Sequence, residues 1–174
     1  MMKKLRRAYV LHLLMACLLI SGSISQTACS EKQLKQVAEA AKDIGGGTRD
    51  VIKAVTTAYQ QGLITIEQKD KFADLLKAIA KGGQHGVDAI EALQKAGVTT
   101  LSRANSKALS LIFDTEVVTP FLSLLQELGQ LSDAPSIAIR TALASVRTAI
   151  VLLSARIGRV DVIRAIQVRE VWNA

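Results

Sequence analysis

The chain is predicted to be all-α, an antiparallel bundle of about four to five helices behind an amino-terminal signal peptide. Three observations predict this. Apolar residues recur at three- and four-residue steps almost throughout, glycine-containing breaks separate runs of helical length, and residues 1–28 follow a basic, apolar, small-residue order that suits no folded element. Residues 29–174 are then expected to form one domain. About 145 residues can enclose a single hydrophobic core and are too few to expect two.

The leader has three zones: MMKKLRR, then AYVLHLLMACLLI, then SGSISQTA. Lys3, Lys4, Arg6 and Arg7 hold the amino end on the cytoplasmic side while the apolar run enters the bilayer. Residues 8–20 fall short of the roughly 20 apolar residues that a comfortable span requires. A cleaved signal peptide fits that length better than its alternative, an uncleaved anchor helix.

The zones end in QTACS, and there the chain resembles bacterial prolipoproteins. Their lipobox runs from an apolar residue through two small residues to the cysteine that is acylated and becomes amino-terminal. Thr27, Ala28 and Cys29 fit its last three positions, with Gln26 at the first. A second candidate, LMAC ending at Cys17, would leave LLI at the mature terminus, so Cys29 is preferred. The resemblance covers the first 30 residues. It implies lipidation of Cys29, palmitate among the acyl groups, and an exported protein of the cell envelope. Its anchor would sit in the outer membrane or on the periplasmic face of the inner membrane.

Cys17 and Cys29 are the two cysteines, so the domain after the leader has no disulfide to form and must be stabilised by packing. Charge is unevenly distributed. From Ser30 to Asp133 there are 12 Lys and Arg against 13 Asp and Glu, and from Ala134 to Ala174 six Arg against two acids. The overall charge of +7 is thus four leader charges plus a basic carboxyl end.

A helical hairpin is expected over 31–97. Leu34, Val37, Ala41, Ile44, Thr48, Val51, Val55 and Ala58 form a lengthwise seam on its first arm. Gln61, Gly62 and Leu63 stop that arm, and Thr65 with Gln68 makes a capping box for the next. The second arm carries Ile66, Phe72, Leu76, Ile79, Gly83, Gly86, Ile90 and Leu93, and ends near Gly97. Reflecting the chain about residue 64 sets Gly46 opposite Gly82 and Gly45 opposite Gly83. Glycines cost about 1 kcal/mol each in a helix interior, so these four suggest a close crossing of the two arms. The alternative is that both clusters are breaks and the arms are four short helices.

A third, kinked run is expected over 102–129, with Leu109, Ile112, Phe113, Val117, Phe121, Leu124, Leu125 and Leu128 apolar. Thr119 as cap and Pro120 as first helical residue would restart the helix midway, and Gly129 ends it. The most apolar helix follows over 133–158, with Ile139, Leu143, Val146, Ile150, Leu153 and Ile157 on one side. Arg140 and Arg147, a heptad apart on the other side, argue against a membrane span. The tail 160–172 is read as a short final helix because no second strand is evident for it to pair with.

Catalytic chemistry finds no foothold, and no catalytic residue, cofactor, metal or small-molecule substrate is expected. After the leader His85 is the one histidine, which makes neither a metal site nor half of a Cys–His pair, and it is expected to be exposed. Glu67, Asp70 and Asp74 are interleaved with Lys69, Lys71 and Lys77, the pattern of a solvated, salt-bridged face. GGGTRD lacks phosphate-loop spacing, and no GxSxG occurs. Nucleic acid is not an expected partner, because Trp172 is the one aromatic in the basic end. Arg140, Arg147, Arg156 and Arg159 could contact an anionic surface. Alternatively, Arg140 and Arg147 pair locally with Asp114, Glu116 or Glu127. Two functions follow: a lipid-anchored structural or adaptor protein that binds an envelope partner by a helix face, or a membrane-active protein whose helix 133–158 lies on anionic lipid.

Overall fold

The computed structural model describes residues 32–172, with side chains for 32–168. Helix α1 spans 32–60, α2 Ile66–Lys95, α3 Arg103–Leu128, α4 Asp133–Arg156 and α5 Val160–Trp172. Among the described residues there is no strand, so the fold is all-α as the periodicity predicts. Cys29 and the leader lie outside the described residues.

Every member of the α1 seam, from Leu34 to Ala58, is buried. Thr48, the one polar member, donates from Oγ1 to the Gly45 carbonyl at 2.8 Å, which removes the penalty for burying its hydroxyl. Both arms run unbroken through their glycines, so the hairpin is two long helices rather than four short ones. Thr65 and Gln68 form the expected capping box at the start of α2. Ile66 departs from its expected core role. It is 40 % exposed because it begins the helix, ahead of the packed face.

Three helix ends share one solution. Gly62, Gly97 and Gly158 adopt φ of 70°, 74° and 80°, and the residue after each donates back to a carbonyl five residues earlier. Side chains are disfavoured at that φ, which is why glycine stops α1, α2 and α4.

Helix α3 is continuous, and its midpoint irregularity has a chemical cause. Pro120 has no N–H to give the Glu116 carbonyl four residues earlier, and the helix accommodates it by widening into a π turn over Asp114–Val118. Thr119 is not the cap that its sequence context suggested. It is already helical, with φ −60° and ψ −51°, and its N–H and Oγ1 both donate to the Asp114 carbonyl.

Helix α2 lies between α1 and α3, α4 packs on α1, and α5 touches both α3 and α4. The core runs from Leu34 to Ile166 and centres on Phe72, Phe113 and Phe121. By length and composition α3 and α4 could each cross a membrane. Phe113, Phe121 and Leu124 from α3 and Ile139, Leu143 and Ile150 from α4 turn into the shared core, while Leu111 of α3 and Ile137 and Leu152 of α4 face outward.

Candidate functional site

The closest helix contacts gather on one stretch of α2 where the backbone is bare. A Cβ placed on Gly83 would lie 3.0 Å from the Ala41 carbonyl oxygen and 3.5 Å from the Gly45 nitrogen, so α1 crosses α2 there. A Cβ on Gly82 would lie 2.6 Å from the Glu116 oxygen, and one on Gly86 would collide with the Phe113 ring. A side chain at position 82 would therefore push against the main chain of the π turn.

Of the four glycines expected to face one another, Gly45 and Gly83 do share a level. Gly82 instead faces α3, and a Cβ on Gly45 or Gly46 would meet nothing within 4 Å. Gly46 is exposed. The glycine of the first arm that needs its missing side chain is Gly47, where a Cβ would lie 2.7 Å from Val146 Cγ2 on α4. Each helix turn places consecutive residues about 100° apart, so adjacent glycines point to different neighbours.

Polar side chains tie the same region together. His85 Nδ1 and Glu116 Oε2 are 2.6 Å apart, linking α2 to the π turn, so His85 is only 43 % exposed and is not the idle surface residue expected. Among the described residues this is the imidazole's one hydrogen bond, and no hydroxyl stands on its other nitrogen to be activated. Arg159 bonds Asp114 on α3 and Asp161 on α5, the latter at 2.6 and 2.9 Å. Lys71 reaches Glu127 at 2.8 Å. Asp114, Glu116 and Glu127 are therefore paired with Arg159, His85 and Lys71, and none of these pairs uses Arg140 or Arg147 as the sequence suggested.

The hydrogen bonds from Arg159 hold the Asp161 carboxyl down at about 2, below its usual 3.8. Bonding to Asp161 and then Asp114 raises Arg159 in turn. Because the folded state depresses Asp161, the link contributes above pH 4 and is lost as the pH falls from about 4 to about 2. Its contribution is small, since Asp161 is 66 % exposed and well screened.

The arginines named for an anionic surface separate into different environments. Arg159 is committed to the two aspartates, Arg140 is half-buried and donates from Nε to Ser136 Oγ, and Arg147 and Arg156 are exposed. Arg156 closes one end of a groove between α1 and α4 whose walls include Glu39, Asp43 and Leu152. The groove continues past Gly46, Gly47, Ala144, Ser145 and Thr148, where it opens to about 590 Å³. A space of that size between two helices suits side chains of a third helix better than an enclosed small molecule. No group of three metal-ligating side chains occurs among the described residues.

Compared with protein-family models, curated proteins and solved structures, the chain matches none. Its function must be read from its own chemistry.

Two outcomes check this geometry. Gly46→Ala is expected to raise stability by up to about 1 kcal/mol in urea unfolding, and Gly82→Ala to lower it by about 1–3 kcal/mol. In an NMR titration Asp161 is expected to have its midpoint near 2, and Arg159→Ala to return it towards 3.8.

Proposed function

We propose that this protein is a lipid-anchored, non-catalytic helical protein of the bacterial cell envelope that serves as a structural or adaptor element by binding another protein through a helix face. One observation carries the reading: the basic, apolar and small-residue zones end at Cys29, followed by the polar, charged sequence SEKQ at 30–33. All Cys and Met residues of the chain lie at or before Cys29, so the remainder suits an oxidising compartment.

Lipid chains supply the membrane affinity in this reading. Each buried methylene contributes roughly 0.8 kcal/mol, and two or more chains hold a protein stably where one does not. The bundle then needs no membrane-binding face of its own. The membrane-active alternative requires α4 to leave the bundle, which would expose Ile139, Leu143, Val146, Ile150 and Leu153 together. That cost favours the anchored adaptor.

Intact-mass analysis of the membrane-extracted protein is the test. The expected species begins at Cys29 and carries the added mass of acyl chains, while Cys29→Ala abolishes the modification and the membrane association. A full-length, unmodified mass would overturn the lipoprotein reading. Residues 30–174 are expected to stay unbound on flotation with anionic vesicles, and co-flotation would point to the membrane-active alternative.

A further inference from the structure

We propose that the outward face of α1 is a self-association surface on which a second copy of this chain packs, with the two α1 helices parallel. The proposal names a partner for the helix-face binding inferred above and rests on that reading, although its charge argument does not require the lipid.

Gly46 marks the centre of this face. It is exposed and nothing inside the molecule uses its missing side chain, yet it carries the helix penalty of about 1 kcal/mol. Counting about 100° per residue, the exposed charges from Lys35 to Lys53 fall within about 60° of Gly46 and divide by sign, while Lys32 at the start of the helix falls on the acidic side. Glu39, Asp43 and Asp50 turn to one side, towards α4, where they line the groove. Lys35, Lys42, Arg49 and Lys53 turn to the other and are likewise exposed.

The two ridges are mostly unused within the molecule. Asp50 and Lys53 make one exposed pair at 3.2 Å. Among the described residues Lys35, Glu39, Lys42, Asp43 and Arg49 form no ion pair, although Lys35–Glu39 and Glu39–Lys42 have the spacings at which helical pairs form. Asp114, Glu116 and Glu127 are each tied to a base on another element, whereas Glu67, Asp88 and Asp133, like the α1 acids Glu39 and Asp43, pair with no base among the described residues.

Opposed ridges select both the partner and its direction. A two-fold axis parallel to α1 would lay the acidic ridge of one copy on the basic ridge of the other, Asp43 against Lys42 of the partner subunit and Asp50 against Arg49 of the partner subunit. An axis across α1 would set acid on acid and base on base. Gly46 at the centre lets the backbones approach. The parallel arrangement also leaves both amino ends on one side, as two chains anchored in one membrane require. A strip about 37 Å long and about 12 Å wide, the breadth of one helix with its side chains, gives roughly 900 Å² in total, the size of a weak interface that anchoring in one membrane would populate. Because the surface is charged, its association is expected to weaken as salt rises.

The test uses the full-length chain in its own membranes, with Thr57→Cys as reporter and the unsubstituted chain as the background for Cys17 and Cys29. Thr57 is exposed on the same face, far from the centre. In the parallel pair it meets its own copy, whereas in an antiparallel pair centred on Gly46 the two would be about 33 Å apart. Oxidation is expected to give a covalent dimer. Lys42→Asp or Asp43→Lys alone should reduce its yield at least about tenfold, and the two together should restore it, because the swap preserves complementarity. No dimer at position 57, or single reversals as efficient as the parent, would overturn the pairing. A monomer still held in the membrane would sink this proposal and leave the envelope reading intact. A cross-linked chain found in the cytosol would do the reverse.

Discussion

Helix α2 can touch α1 and α3 at one level because positions 82, 83 and 86 carry no side chain, and much of the bundle depends on that absence. Gly83 admits the α1 backbone, Gly82 admits the main chain of α3 at Glu116, and Gly86 leaves the hollow that Phe113 fills. Three glycines in a helix interior sacrifice roughly 3 kcal/mol of intrinsic propensity. Close packing of Phe113, which is 1 % exposed, and of Ile44, which is fully buried, opposes that loss. The same approach brings His85 against Glu116 and places the π turn beside Gly82, where a side chain would not fit.

Much of this was legible in the sequence, and the misses share a physical form. Periodicity located the first four helices, the fifth being read as helical for want of a second strand, and all eight residues of the first seam are buried, because a stripe repeating at three and four residues has one face to hide. Reflection about the turn placed Gly45 level with Gly83 correctly. It could not say which way each residue points around its helix. The needed signal lay in the seams: Gly83 and Gly86 continue the line of Leu76 and Ile79, whereas Gly46 sits opposite Ile44 and Thr48 and so had to face outward. The His85–Glu116 and Arg159–Asp114 ties were hidden because their partners stand 31 and 45 residues apart, and their meeting depends on how α3 and α5 settle on the hairpin.

Charge use separates the inside of the bundle's design from its outside. Long-range polar pairs join α2 to α3, at both Lys71–Glu127 and His85–Glu116, and join α3 to the α4–α5 turn through Arg159, so that each bond restrains two elements. The outer face of α1 instead carries acids and bases that mostly ignore one another within the molecule. Under the proposed reading, in which lipid tethers the protein and it does no catalysis, its surfaces are what it acts with. Tethering also concentrates copies in two dimensions, so that an interface too weak for dilute solution can be populated at a membrane.

The central claim is that the glycine stretch of α2 is the tightest part of the bundle and not a hinge. Native-state hydrogen exchange read at the amides of Gly82, Gly83 and Gly86 tests it most directly. The account predicts that they exchange only through global unfolding, with the dependence on denaturant of the most protected core amides. Exchange at the rate of the turn residue Gly97, with little dependence on denaturant, would contradict it.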